Sequence, residues 1–375
     1  AAEEEAAVEE EAAEEAAADE SAAVMIAAGE ALKLGYSGAL TGEGVSAFGI
    51  DIQRGIELAL EDRSSVMVGD AEFTVELDAQ DSLCSPEGGQ TVANRFVSDE
   101  SVVAVVGPMC SSACESAGPI YDEAGFTTIS PSCTAANLTD GRFASFNRSV
   151  PSDAAQGTVA AEFIYSTLGI EQMAVLDDGS AYGEGLVNLL VASYEELGGE
   201  IVARDAVNVG DTDFRALLED IASSEPQLVY FGGFNAEGAR LVEQRADVGL
   251  EDVPFMGADG IWGPELIELA GEAAEGVYAS APQPFSSDAV EAFVERYTET
   301  YGEEPASAYN TNSYDATMMF LDGIEAVGTV DDDGNLMVDR AALQAYIRGV
   351  SMDGLSGPIT CDGSGECATT EVQFY

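Results

Sequence analysis

The chain has 375 residues, 46% of them hydrophobic, which is too long for one compact core and suits two domains. Seventy acids against 13 bases give a formal charge of −57, which repels nucleic acid and anionic membrane surfaces. Histidine is absent and Lys33 is the single lysine, so Ser–His, Cys–His and His–metal chemistry are excluded and a hydrolytic or acid–base enzyme is not expected.

Residues 1–20 hold ten acids and no base. Residues 1–23 are good helix formers with almost no large apolar side chain to bury, so residues 1–30 read as an acidic, disordered tether. The abrupt Ala/Glu start fits a processed form, after a signal-cleaved or lipid-modified beginning. Scarce lysine and abundant acid also suit solubility in high salt, where charge repulsion is screened. No apolar run reaches the length of a membrane helix.

From residue 31 onward, short apolar runs alternate with amphipathic stretches. Strands are predicted at 32–37, 73–78, 102–106, 127–130, 173–176, 201–206, 228–231, 254–256 and 277–279. Helices are predicted at 52–61, 90–98, 154–168, 185–197, 214–223 and 237–247, with longer ones at 288–301 and 314–327. This alternation implies α/β architecture, with parallel sheets covered by helices on both faces. It runs once before and once after residues 150–151. Residues 354–375, rich in Gly, Thr and β-formers, read as an added hairpin.

Six cysteines, Cys84, Cys110, Cys114, Cys133, Cys361 and Cys367, permit three disulfides. The competing reading, a zinc site, would need four thiolates, and no CxxC pair starts one. Structural disulfides point to an extracytoplasmic location.

In open α/β sheets ligands collect at the carboxyl ends of strands, beside helix N-termini. Four such junctions carry candidate chemistry. The loop at 38–49 is glycine-rich, but Gly42-x-Gly44 lacks the third glycine of a dinucleotide fingerprint, and a flexible loop is the plainer reading. At 105–114 a strand enters Gly-Pro-Met-Cys-Ser-Ser, where Ser111 is either an N-cap or an anion-binding hydroxyl. At 129–134 a second strand ends in Ser132, Cys133 and Thr134. Beyond strands of the second half lie Tyr182, Phe234 and Asp259. Together these offer an anion site, a carboxylate and aromatic walls, which suits a zwitterion with an apolar side chain.

At this point the residues resemble a known family. The motifs are Gln53-Arg-Gly-Ile-Glu-Leu-Ala, Val106-Gly-Pro-Met-Cys-Ser-Ser, Gly125-Phe-Thr-Thr-Ile-Ser-Pro-Ser-Cys-Thr, Ala181-Tyr-Gly-Glu-Gly, Tyr230-Phe-Gly-Gly and Phe255-Met-Gly-Ala-Asp-Gly. In order and spacing they are similar to the solute-binding proteins of branched-chain amino-acid ABC transporters, over residues 31–375. The resemblance implies two doubly wound parallel-sheet lobes joined by three crossings near Val150, Pro282 and Val350. Residues 31–150 with 282–349 would form lobe 1, and 151–281 with 350–375 lobe 2.

It further implies a monomeric, non-enzymatic receptor without cofactor or metal, delivering an amino acid to a membrane permease. Ser111 and Thr134 would bind the α-carboxylate. Ser132 and Cys133 would add backbone groups, and Asp259 would hold the α-ammonium. Phe48, Tyr182 and Phe234 would wall the side chain. Two departures stand out: Asp259 is one methylene shorter than the family's usual glutamate, and Phe234 replaces a common tyrosine. Cys84 with Cys110 matches the relatives' disulfide, while Cys114–Cys133 and Cys361–Cys367 are paired by adjacency. A ligand-sensing module for a membrane receptor, and a binder of amide or urea-type solutes, are alternatives on the same scaffold. An NAD-dependent enzyme is disfavoured by the incomplete glycine fingerprint.

Overall fold

The computed structural model describes residues 23–368 and 372–375. In the first half the strands are β1 (Ala23–Ile26), β2 (Leu32–Gly38), β3 (Ser65–Val68), β4 (Ala71–Asp81), β5 (Val102–Val106), β6 (Thr128–Ser130) and β7 (Phe146–Arg148). The second half holds β8 (Gln172–Asp177), β9 (Glu200–Ala206), β10 (Leu228–Gly232), β11 (Phe255–Gly257) and β12 (Tyr278–Pro282). They are followed by β13 (Thr329–Val330), β14 (Leu336–Asp339), β15 (Ser351–Gly354), β16 (Gly357–Thr360) and β17 (Val372–Phe374).

Two six-stranded sheets organise the chain, in the orders β3-β4-β2-β5-β6-β7 and β9-β8-β10-β11-β12-β17. All neighbours are parallel except β3–β4 and β12–β17, so each sheet ends in one antiparallel edge strand. The expected parallel sheets are thus present, each with one antiparallel strand added at an edge. The parallel strands read as continuous apolar runs because both of their faces are covered. All five residues of β5 and all five of β10 are buried. One extended core, running from Val24 to Cys367, lies under the first sheet, and separate cores lie on the two faces of the second.

The helices are α1 (Ser46–Asp62), α2 (Pro86–Ser98), α3 (Ser111–Glu123), α4 (Asp153–Glu162), α5 (Ala181–Glu196), α6 (Arg215–Ser223), α7 (Asn235–Gln244), α8 (Pro264–Ala270), α9 (Asp288–Tyr301), α10 (Tyr309–Val327) and α11 (Arg340–Ile347). Their starts follow local chemistry. Ser85, Ser152, Ser180 and Ser287 accept backbone N–H bonds as caps of α2, α4, α5 and α9. Pro86 opens α2 at a position whose N–H would have no partner. Phe293 and Tyr297 of α9 pack on Leu58 of α1, and Tyr309, Met319, Phe320 and Ile324 of α10 enter the first core. Both helices therefore belong with the first sheet.

Each sheet reverses its winding at one point. From β2 the chain moves outward to β4 and then returns to β5 on the other side. In the second sheet β9 and β10 flank β8 in the same way. Such switch points splay the loops at the strands' carboxyl ends and leave a crevice there. The loops after β2 and β5, and those after β8 and β10, are thereby predisposed to line a site.

The chain passes from the first sheet to the second after β7 and returns after β12. Its third passage lies between Cys367 and Val372, not near Val350, because Val350, Ile359 and Cys367 are buried in the first core. Residues 350–367 thus depart from the expected second lobe, and β17 alone of this segment joins the second sheet. The terminal hairpin is β15–β16, closed at 351–360 and so earlier than expected.

The tether expectation also needs correction at its end. Residues 1–22 lie outside the described residues, but Ala23–Ile26 pairs antiparallel with β14, and Val24 and Ile26 are buried. Burial of one valine and one isoleucine predicts that a chain beginning at Ala27 is less stable than one beginning at Ala23 by about 3–5 kcal/mol. Urea unfolding of the two truncations measures this, and equal midpoints would show that β1 adds nothing.

Candidate ligand-binding site

The site forms where the carboxyl ends of the two sheets face each other. Phe48 stands in the first turns of α1, which follows β2. Met109 and Cys110 follow β5, Ser132 follows β6, and Tyr182, Phe234 and Asp259 follow β8, β10 and β11. These residues, with Gly260 and Tyr309 of α10, line a small cavity of about 20 Å³. Of the eight predicted residues, five line this cavity directly: Phe48, Ser132, Tyr182, Phe234 and Asp259. Ser111, Cys133 and Thr134 are buried immediately behind Cys110 and Ser132 in the chain.

The donor-rich end is built around the start of α3, whose first N–H groups have no intrahelical partner. Its N-cap position is Cys110, with no side-chain cap, so Ser111 is the first helical residue rather than the cap. The Ser111 hydroxyl accepts the Ala135 N–H at 3.2 Å and so joins α3 to the loop after β6. Ser132 Oγ donates to Met109 O at 2.8 Å across the same gap. Thr134 Oγ1 is buried with no hydrogen-bond partner.

Two disulfides hold this corner. Cys84–Cys110 and Cys114–Cys133 fasten the first turn of α3 to the loops after β4 and β6. Their sequence separations of 26 and 19 each correspond to roughly 3 kcal/mol in the chain-entropy model. Arg148, completely buried, braces the loop from behind. Its Nη1 donates to Cys133 O at 3.3 Å and Ala135 O at 2.9 Å, and its Nε to Glu366 Oε2 at 2.9 Å. Glu366 sits in the short loop closed by the third disulfide, Cys361–Cys367.

The acidic end is Asp259, 6% exposed. Its Oδ1 accepts Gln156 Nε2 at 2.8 Å and Tyr182 OH at 2.6 Å, and its Oδ2 accepts Tyr309 OH at 2.6 Å. Tyr182 OH also accepts the Gly260 N–H at 3.0 Å, which fixes the ring against the turn that carries Asp259. Burial first, and the Asp259 carboxylate next, push Tyr182 and Tyr309 well above the ordinary tyrosine range, so both remain donors. All three donors are neutral. They satisfy lone pairs of the carboxylate and bring it no positive charge.

Aromatic rings close the walls. Phe48 meets Tyr309 edge-on at 6.3 Å between centroids, and Tyr182 meets Phe234 at 5.3 Å. The two sheets' loops also touch directly. Gly44 N–H donates to Glu265 Oε1 at 3.1 Å, and Ala181 N–H donates to Ser112 Oγ at 3.0 Å. Gly44, at φ +81°, has no room for a Cβ, which would fall 2.3 Å from Ala236 N. A larger groove of about 450 Å³, bounded by Trp262, Leu266, Phe285 and Val294, is apolar and has no acidic side chain in its lining.

Sequence reasoning missed Gln156 and Tyr309, which hold Asp259. Asp153 and Gln156 lie one turn apart at the start of α4, a spacing indistinguishable from an ordinary polar helix face. Tyr309 opens a long helix with no local motif. The Arg148–Glu366 pair was equally invisible, because the partners are 218 positions apart.

Removal of one partner of a buried ion pair leaves the other uncompensated. Glu366→Ala is therefore expected to destabilise the protein by about 3 kcal/mol. Denaturant unfolding checks this, and an unchanged midpoint would show that Arg148 finds another counter-charge.

The family model described as periplasmic binding protein matches residues 31–375. A leucine-, isoleucine-, valine-, threonine- and alanine-binding protein of Pseudomonas aeruginosa is 32% identical over 306 residues, covering 82% of this chain and 81% of that protein. The Leu/Ile/Val-binding protein of Escherichia coli is 27% identical over 93% of this chain and 92% of its own length. The crystal structure of a leucine-binding protein from Thermotoga maritima superimposes with a TM-score of 0.80 at 31% identity, covering 92% of this chain and 97% of that one. The chain belongs to the periplasmic binding protein family, in its branched-chain amino-acid, type I group.

Proposed function

We propose that the protein is the extracytoplasmic substrate-binding component of an ABC transporter. It takes an α-amino acid with an apolar, branched side chain between its two sheets and delivers it to a membrane permease. Three features support the amino-acid reading. The first turn of α3 and the hydroxyls of Ser111 and Thr134 offer donors to an α-carboxylate. Asp259 offers a carboxylate to the α-ammonium. Phe48, Tyr182 and Phe234 offer an apolar wall for the side chain. Relatives named for leucine, isoleucine and valine point the same way. Among the described residues no helix is long and apolar enough to cross a membrane.

The observation that carries the reading is Asp259, a buried acid whose three protein donors are all neutral. A buried carboxylate calls for a cationic counterpart, and the ligand's ammonium is that counterpart. Asp259→Asn keeps the shape and removes the charge. Leucine affinity is expected to fall about 30- to 1000-fold, roughly 2–4 kcal/mol. Isothermal titration calorimetry on both proteins checks this. Equal affinity would assign the ammonium to another group and weaken the amino-acid reading.

A further inference from the structure

Asp51 lies in α1, one turn beyond Phe48, and is 1% exposed. Its carboxylate accepts hydrogen bonds from three residues that precede or open α10. Oδ1 accepts the Ala306 N–H at 3.2 Å, and Oδ2 accepts the Ser307 N–H at 3.1 Å and the Ser307 hydroxyl at 2.7 Å. Asn310 Nδ2 faces both oxygens, at 3.1 and 3.0 Å. Such a set of donors suits the ionised form. Burial pushes Asp51 above the usual carboxyl range, and the Ser307 and Asn310 donors pull it back.

These bonds fix the start of a helix that cannot fix itself. α10 begins at Tyr309 without a side-chain cap, and no acid stands in its first turn. A helix start favours a negative charge nearby, and Asp51 provides it from α1. The Ser307 hydroxyl, while donating to Asp51, accepts the Tyr309 N–H at 3.1 Å. The acid therefore holds the backbone of Tyr309 through one intervening hydroxyl. Along the same contact a Cβ on Gly55 would fall 2.2 Å from Asn310 O, and Ser313 Oγ donates to Ile52 O at 2.8 Å. α1 and α10 thus form one platform, which carries Phe48 and Tyr309 in edge contact at the site.

Tyr309 is where this platform meets the second sheet, since its hydroxyl donates to Asp259 Oδ2 at 2.6 Å. An O–H···O bond spans only about 2.5–3.0 Å, so a shift of the Tyr309 backbone by ~1 Å breaks it. We propose that Asp51 is a positioning residue for ligand binding, which fixes the turn ahead of α10 so that the Tyr309 hydroxyl reaches Asp259. Asp51 does not line the cavity, so its effect passes through Tyr309 rather than through contact with a ligand. This rests on the amino-acid reading of the site and adds to it a residue that acts from behind the wall. Without Asp51 the turn relaxes, the bond between the two sheets at Asp259 is lost, and a bound amino acid is held less tightly.

Isothermal titration calorimetry of leucine with the full chain tests this as a double-mutant cycle of Asp51→Asn and Tyr309→Phe. Each single variant is expected to bind leucine about tenfold more weakly than the parent. The double variant is expected to bind at most about twofold more weakly than Tyr309→Phe alone, because the path from Asp51 to Asp259 is already cut. A role in the fold alone would weaken both backgrounds equally. An Asp51→Asn effect of the same size in the Tyr309→Phe background, or either single variant with the parent's affinity, overturns the inference and leaves the amino-acid reading intact. Ser307→Ala keeps the acid and removes the hydroxyl between it and Tyr309. Placed in the same cycle, it decides by the same criterion if Asp51→Asn does not fold. A parent that binds none of leucine, isoleucine and valine overturns the amino-acid reading and the inference together.

Discussion

A carboxylate at Asp259, almost fully withdrawn from water, sets the terms for the rest of the molecule. An acid so placed costs several kcal/mol unless it is hydrogen-bonded and balanced by charge. The protein supplies the hydrogen bonds from three directions. Gln156 comes from α4, Tyr182 from α5, and Tyr309 from α10, a helix seated in the core of the first sheet. The bond from Tyr309 therefore ties the two sheets together at the acid itself. Positive charge is what this arrangement leaves out. The buried arginine of the neighbourhood, Arg148, is engaged by Glu366 and by the carbonyls behind the loop after β6. The balance of charge is left to whatever enters.

The opposite end of the site is built by the reverse logic. It presents N–H and hydroxyl groups, which suit a carboxylate and repel an ammonium. Such groups act well only if held still, and the chain invests covalent bonds there. Cys110 and Cys114 flank the first turn of α3 and bind it to both neighbouring loops. Arg148 then fixes the carbonyls of Cys133 and Ala135. An acid at one end, donors at the other and aromatic rings between them are an arrangement that would admit a zwitterion in one direction only.

The sheet strands were the most legible part in the sequence, because a parallel strand covered on both faces is a short, uninterrupted apolar run. The run 102–106 coincides with β5, and most others differ by one to three residues at the ends. Short or half-exposed strands escaped. β3 alternates buried and exposed along Ser-Val-Met-Val, and β1 stood in the shadow of the acidic tract. The misplaced third passage has a similar cause, since nothing local tells residues 350–367 which sheet will cover them. Of the cavity lining, residues at strand ends were legible from topology and motif, as Ser132, Tyr182, Phe234 and Asp259 show. Gln156 and Tyr309 reach Asp259 from helix faces, and their meaning arises when α4 and α10 are packed against it.

The most direct measurement of the central claim compares three ligands of one shape on the parent protein: leucine, isopentylamine without the carboxylate, and 4-methylpentanoate without the amine. Calorimetry under identical conditions is expected to show tight binding of leucine alone. Loss of either charged group should weaken binding by about two orders of magnitude or more, because each leaves one end of the site unpaired. Binding of 4-methylpentanoate as tightly as leucine would contradict the account, since Asp259 would then face no ammonium.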